Sequence, residues 1–186
     1  MNILIIGPPG VGKGTQAKLI KNKLKLIHIS TGELLRAEIA KQTKIGIKAK
    51  YFIDKGEFVP DKTVLKIIET KFNQINYSRG YILDGFPRTL HQAIGLDRIL
   101  ITLKQKLNFA ISLIAKDKIL EERLLKRSKK DNRSDDMPSI IKKRQKIYWN
   151  QTAPILKFYK NMGILKEING LGKIDDITRR ILDTLK

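Results

Sequence analysis

Hydrophobic and polar residues alternate along this chain in two kinds of segment. Short runs rich in isoleucine and leucine, typical of buried strands, cover residues 2–6, 26–29, 81–83, 109–114 and 164–168. Longer amphipathic stretches, typical of helices, cover residues 15–25, 31–41, 61–75, 90–105, 117–127, 139–162 and 174–185. Because strands joined by helical crossovers form parallel sheets, the pattern predicts an α/β fold, a five-stranded parallel sheet with helices on both faces.

Two segments depart from this alternation. Residues 31–60 carry two helical pieces with no strand between them, and residues 128–138 are polar with almost no apolar anchors. We therefore expect one domain over residues 1–186, with a core of residues 1–29, 61–127 and 139–186, a small helical excursion at 30–60 and a short lid at 128–138. Both segments are candidates for parts that close over substrates.

Three residues in the long helical stretch at 139–162 have predicted structural roles. Tyr148 and Trp149 are expected to pack between this helix and the sheet. Pro154 is expected to kink the helix, because proline lacks a backbone N–H and its ring clashes with the preceding turn.

Composition and charge narrow the class of protein. Lys and Arg number 38 against 18 Asp and Glu, a formal net charge of +20, but the lysines are scattered and aromatic residues make up only 6%. This distribution favours a solvated, lysine-rich surface over a nucleic-acid interface. The chain has no cysteine and no apolar stretch long enough to span a membrane, and its first residues resemble a strand rather than a signal peptide. We expect a cytoplasmic monomer with no membrane partner.

A glycine-rich turn connects the first predicted strand to the first predicted helix. Residues 7–16 read GPPGVGKGTQ, which matches the phosphate-loop pattern except that Gly14 precedes the expected hydroxyl, at Thr15. The glycines leave room for a polyphosphate against backbone N–H groups, and Lys13 brings an ammonium to the outer phosphates. The motif therefore predicts binding of a nucleoside triphosphate.

Two further turns at the carboxyl ends of predicted strands are expected to converge on the same cleft. A capping box, S-x-x-E at residues 30–33, starts a helix that carries Arg36 one turn later. Asp84 ends a buried strand, where a carboxylate needs a cation or Mg²⁺-bound water. Arg88 follows in a stiff turn, and the amide of Gln92, one helical turn further on, can both donate to and accept from a base edge.

Together these motifs resemble the adenylate kinase family, in its form with a short lid. The segments GPPGVGKGTQ, HISTGELLR, GEFVPD and DGFPRTLHQA, followed by arginine-rich segments, come in the family's order over essentially the whole chain. The resemblance implies the P-loop NTPase fold and reversible transfer of the terminal phosphoryl group of ATP to AMP, giving two ADP. It implies ATP, AMP and ADP as substrates, Mg²⁺ as the cofactor, held through water by Asp84, and no zinc.

The resemblance also implies roles for individual residues. The excursion at 30–60 would be the AMP-binding subdomain, and residues 128–138 the lid over ATP. The implied ATP-binding positions are Gly10, Val11, Gly12, Lys13, Gly14, Thr15, Arg127, Arg133 and Gly172. The implied AMP-binding positions are Thr31, Arg36, Glu57, Phe58, Val59, Gly85, Phe86, Pro87, Arg88, Gln92, Arg133 and Arg144. The implied catalytic positions are Lys13, Arg88, Arg123, Arg127, Arg133 and Arg144.

Two other functions remain open. A UMP or CMP kinase on the same fold is the first, although Thr31 and Gln92 stand where such relatives carry Ala and Asn, which favours AMP. A nucleotide-dependent nucleic-acid-binding protein is the second, suggested by the positive charge and opposed by the complete acceptor site. Phosphoryl transfer between two polyanions depends on alignment and charge neutralisation, which agrees with many arginines and no apparent nucleophile.

Overall fold

The computed structural model describes residues 1–131 and 134–186 of the chain. Within them, the sheet is built from β1 (Asn2–Ile6), β2 (Ile27–Ser30), β3 (Tyr81–Asp84), β4 (Phe109–Ile114) and β5 (Leu165–Asn169). All of its pairings are parallel, and the strand order is β2-β3-β1-β4-β5. The carboxyl ends of β1, β2 and β3 therefore meet at one edge, where the predicted phosphate loop, Thr31 and Asp84 all lie.

Helices cover both faces of the sheet. In the described residues they are α1 (Lys13–Leu24), α2 (Thr31–Ala40), α3 (Lys44–Asp54), α4 (Asp61–Phe72), α5 (Leu90–Thr102), α6 (Asp117–Asp131), α7 (Pro138–Ile147), α8 (Pro154–Asn161) and α9 (Ile174–Thr184). Short 3₁₀ turns lie at Tyr77–Arg79 and Ser134–Asp136, and a π turn at Tyr148–Thr152. No helix in these ranges is both long and apolar enough to cross a membrane.

Alternate residues of β1 point to opposite faces and belong to two separate hydrophobic clusters. Leu4 and Ile6 pack in a cluster that includes buried residues of α4, α5 and α8. Ile3 and Ile5 pack in a second cluster, with buried residues of α1, α6 and α9. Both faces of this strand are covered, which explains why its sequence is a continuous apolar run. The predicted α/β fold is confirmed, as a P-loop NTPase fold.

Some predicted boundaries and environments were wrong. β5 was expected to be buried, but Leu165 is half-buried and Lys166, Glu167 and Asn169 are exposed, because β5 lies at the edge of the sheet. The other strands match the predictions to within one residue. The helix predicted at 117–127 runs to residue 131 as α6, into the segment predicted to be the lid, whose role stays a prediction.

The predicted helix at 139–162 is divided at its proline. Pro154 begins α8, and the π turn before it contains a hydrogen bond from the Ala153 N–H to the Tyr148 carbonyl at 2.9 Å. The wider turn accommodates a residue that cannot donate a backbone hydrogen bond. Tyr148 is buried as expected, but Trp149 is 48% exposed, because the turn directs the two neighbouring side chains differently.

The excursion consists of α2 and α3, packed closely at Gly46. A Cβ atom on Gly46 would lie 2.1 Å from the backbone carbonyl oxygen of Glu38 in α2. Thr43 ties the two helices together, because its hydroxyl caps α3 by accepting from the Gly46 N–H at 3.0 Å and donates to the Glu38 carboxylate at 2.6 Å. The absence of a side chain at Gly46 therefore allows α2 and α3 to pack this closely.

We predict that Gly46→Ala lowers the free energy of unfolding by about 1–3 kcal/mol, because the obstructing atoms belong to backbone and cannot rotate away. Gly95→Ala in α5 is the matched control: there the nearest atoms belong to the Leu65 side chain, which can adjust. Denaturant unfolding of both variants provides the measurement. A Gly46→Ala protein as stable as the Gly95→Ala protein would contradict this packing argument.

Candidate active site

The glycine-rich turn after β1 forms a cradle closed by Lys13. Gly10 and Gly12 have φ angles of +87° and +99°, in the left-handed region that favours glycine, and Gly12 caps the start of α1. The Lys13 ammonium donates to the carbonyl oxygens of Gly7 at 2.7 Å and Pro8 at 3.0 Å. The amino terminus of α1 and this ammonium thus lie at the same loop, an arrangement suited to phosphate.

The electrostatic environment of Lys13 is strongly positive. Burial lowers its pKa, Asp84 opposes burial, and Arg88, Arg144 and Arg127 reinforce it, so that the pKa falls from 10.5 to about 7 in all. Cations this close repel one another, so the cleft favours a ligand with several negative charges.

A single large cleft contains most of the predicted donor residues. It is lined by the loop from Pro9 to Gln16 and by Asp84, together with the arginines at 36, 88, 123, 127 and 144 and Gly172. Val11 lines the cleft, but the residue as a whole is 1% exposed and belongs to the core. The prediction for Arg133 lies outside the described residues.

Arg88 is held by three neighbours. Its Nε donates to the Gly85 carbonyl at 2.7 Å, its guanidinium lies 5.3 Å from the centre of the Phe58 ring, and its own carbonyl accepts from the Thr152 hydroxyl at 2.8 Å. Burial, reinforced by Arg144, lowers the pKa of Arg88 to about 10. The fixed guanidinium lines both this cleft and a smaller adjoining cavity.

Asp136 joins two of the predicted catalytic arginines. Its carboxylate is fully buried and accepts from Arg127 Nε at 2.6 Å and Nη2 at 2.7 Å, and from Arg144 Nη1 at 2.7 Å. Arg144 also pairs with Asp135 at 2.9 Å. Neither carboxylate was predicted from the sequence, although two adjacent aspartates in an otherwise basic segment could have indicated them.

Arg123 contacts backbone on two sides of the cleft. Its Nη1 lies 3.3 Å from the Gly170 carbonyl oxygen and 3.5 Å from that of Val11. It therefore links the phosphate loop to the segment between β5 and α9. Gly172 in that segment has a φ angle of +113° and an exposed backbone.

Asp84 is suited to a hydrated magnesium ion. Burial raises its pKa, but His28, Lys13 and Arg88 outweigh burial, and the pKa lies below its ordinary value. A Cβ atom on Gly14 would lie 3.3 Å from the Asp84 carboxylate, so glycine leaves that space open. In the described ranges no three potential metal-binding side chains group together. One carboxylate completed by water and phosphates is typical of Mg²⁺.

Predicted acceptor residues fall into two groups. Lining the smaller cavity are Glu57, Phe58, Gly85, Phe86, Pro87, Arg88 and Arg144. Thr31, Val59 and Gln92 are buried and line neither of the two cavities. The Thr31 hydroxyl donates to the Gly85 carbonyl at 2.8 Å, directly behind the cavity wall. Glu57 also accepts from Lys143 of α7 at 2.6 Å.

Comparisons with known proteins agree with this arrangement. A family model for adenylate kinase matches residues 5–164. The chain belongs to the adenylate kinase family. It is 41% identical to an adenylate kinase of Stenotrophomonas maltophilia (strain K279a) over 100% of both chains. It is 45% identical to one of Leptospira biflexa over 98% of both, and 42% identical to one of Flavobacterium psychrophilum over 100% of this chain and 98% of the relative.

Membership decides between the functions left open by the sequence. The enzyme is a phosphotransferase of the adenylate kinase type, and neither the pyrimidine nucleotide kinase nor the nucleic-acid-binding alternative is favoured. The roles of single residues in this adenylate kinase remain predictions, which the following variants and binding measurements address.

We predict that Asp136→Asn lowers the free energy of unfolding by about 3–5 kcal/mol and reduces turnover, because two guanidinium groups lose a shared buried anion. Asp183→Asn is the control, since Asp183 forms an exposed pair with Lys186 whose loss should leave the melting temperature unchanged. Melting curves and turnover of both variants test this. Equal stability of the two proteins would refute the anchoring role.

We also predict that nucleotide binding takes up protons at pH 8. In the enzyme without nucleotide, the Lys13 side chain has a pKa of about 7 and is therefore largely a neutral amine at pH 8. Bound phosphates favour its charged form, the ammonium. Uptake should approach about one proton at pH 8 and vanish below pH 6. Calorimetry of ATP binding in buffers of different ionisation enthalpy measures it, with Lys13→Met as the control. Equal proton counts at both pH values would exclude this titration.

Proposed function

We propose that the chain transfers the terminal phosphoryl group of ATP to AMP within a single cleft. ATP phosphates would lie on the glycine-rich loop and Lys13, and the AMP phosphate between Arg36 and Arg88. The observation that carries the proposal is that one continuous cleft is lined both by the loop and by these two acceptor-side arginines. Two polyanions held in one cleft need no covalent intermediate to exchange a phosphoryl group.

Charge neutralisation would come from arginines on several elements. Arg88, Arg123, Arg127 and Arg144 all line this cleft. The transferring group spreads negative charge over its oxygens, so guanidinium groups that are already fixed stabilise it without reorganising. Arg133, in the predicted lid, would join them when the lid closes over ATP.

Mg²⁺ is the cofactor that the site accommodates best. The ionised Asp84 carboxylate would hold it through water. Thr15, in the first turn of α1, lines the same cleft as Asp84. When bound, the metal would offset the negative charge of the ATP phosphates. Asp84 itself would orient the bound water and balance the positive field of Lys13.

The cellular setting is part of the proposal. We infer a cytoplasmic monomer whose substrates are ATP, AMP and ADP, with no nucleic-acid or membrane partner. The absence of cysteine and the scattered distribution of lysine support this setting.

The decisive experiment is a coupled assay for ADP formed from ATP and AMP with Mg²⁺, repeated with CMP and UMP and with a chelator. We expect AMP to be strongly preferred and turnover to require the metal. Lys13→Ala should reduce kcat by about 100-fold or more while the circular dichroism spectrum is unchanged. Lys23→Ala, an exposed lysine on the same helix, is the matched control.

Equal rates with the three monophosphates would contradict the acceptor assignment. A bisubstrate analogue with two adenosines joined through five phosphates separately tests the shared cleft. We expect it to compete with both ATP and AMP. Competition with only one of them would show that the two pockets are not connected as proposed.

A further inference from the structure

Asp61, the first residue of α4, holds a predicted acceptor residue from behind. One carboxylate oxygen accepts from the Gln92 side-chain nitrogen at 2.6 Å, and the other accepts from the Thr89 hydroxyl at 2.9 Å. Thr89 in turn accepts from the Gln92 backbone N–H at 3.1 Å, which caps α5. Asp61 is thus tied both to the start of α5 and to the side chain of Gln92.

The other end of the Gln92 amide is also fixed. Its carbonyl oxygen accepts from the Arg88 backbone N–H at 2.8 Å. A carboxylate only accepts and a backbone N–H only donates, so these partners determine which end of the amide is nitrogen and which is oxygen. Reversing the amide would set its oxygen against the Asp61 carboxylate, two acceptors, and its N–H group against the Arg88 backbone N–H, two donors. Gln92 is 2% exposed, so bulk water cannot relieve either conflict.

A fixed amide can distinguish between two kinds of purine. After these contacts, Gln92 keeps one N–H and one oxygen lone pair. The edge of a 6-aminopurine presents a donor at N6 beside an acceptor at N1, whereas a 6-oxopurine presents an acceptor at O6 beside a donor at N1. The two orders are opposite, so a given amide orientation suits only one of them.

We propose that Asp61 is a specificity-determining residue of the acceptor site. By fixing the orientation of the Gln92 amide, it selects a 6-aminopurine monophosphate over a 6-oxopurine monophosphate. This inference rests on the proposed function and on the predicted role of Gln92 as an AMP-binding residue whose amide would contact the edge of the adenine; in the structure the side chain is buried and lines neither cavity. Asp61 acts through Gln92 and is a positioning residue, with no contact to substrate required.

Asp61→Asn tests the proposal, because an asparagine amide can turn to satisfy either orientation of Gln92. The measurement is kcat/KM for AMP and for IMP at saturating ATP. We expect the AMP-to-IMP ratio to fall by about 10-fold, chiefly through better use of IMP, since one of the two buried conflicts is relieved while the conflict with the Arg88 backbone N–H remains. Asp175→Asn is the matched control, because it removes an acidic side chain from the first turn of α9 and should leave the ratio unchanged.

A second pair of variants separates the inference from the proposed function. Gln92→Leu should lower the ratio by removing the reading amide. If Gln92→Leu lowers it while Asp61→Asn leaves it within twofold of the unaltered enzyme, the role of Asp61 is overturned and the proposed function stands. If Gln92→Leu leaves it unchanged, both the base-reading role of Gln92 and this inference fall.

Thr89→Val offers an independent variant if Asp61→Asn does not fold. It removes the hydroxyl donor from one carboxylate oxygen of Asp61, an oxygen that also lies 3.4 Å from His91 Nδ1, without changing the charge of Asp61. We therefore expect a smaller fall in the same ratio. A melting curve identifies any general loss of structure. A folded Thr89→Val protein with the ratio of the unaltered enzyme would count against the proposal, because the carboxylate would then not need to be held.

Discussion

Repulsion among buried cations is the constraint on which this cleft depends. Burial, together with the guanidinium groups of Arg88 and Arg144, lowers the pKa of Lys13 to about 7, and burial together with Arg144 lowers the pKa of Arg88 to about 10. Such a cluster persists only because the surrounding structure holds it. Asp84 faces Lys13 from β3, and Asp136 holds Arg144 from the turn before α7. Phosphate groups would complete a charge balance that the protein leaves unfinished.

The framework around the cluster is correspondingly rigid. The phosphate loop is fixed between a strand buried on both faces and α1, and a Cβ on Gly10 would lie 2.7 Å from the Leu120 carbonyl oxygen. Arg123 joins that loop to the segment after β5. The backbone segments that carry these cationic side chains are therefore held close to one another. This limits how far apart electrostatic repulsion can move the side chains.

Local sequence patterns predicted the fold and the phosphate loop, but they did not predict the contacts between residues that are distant in the sequence. The apolar run of β1 and the capping serine at residue 30 depend on neighbours within a few positions, and both were predicted. The exposure of β5 depends on its place at the sheet edge, and the exposure of Trp149 on the π turn. The Asp61 carboxylate bonds to Gln92 in a different helix, and the Asp136 carboxylate bonds to Arg127, nine residues earlier in the chain. Residue type alone could not predict these pairings.

Two neighbouring residues at the end of the helical excursion lie against α7, the helix that carries Arg144. Glu57 pairs with Lys143 of α7, and a Cβ on neighbouring Gly56 would lie 2.5 Å from the Ile140 side chain of the same helix. The ion pair is exposed and screened by salt, whereas the close approach of the Gly56 backbone to α7, which leaves no room for a Cβ, does not depend on ionic strength. Inward motion of the excursion would therefore press against α7 and, through that helix, shift the guanidinium of Arg144.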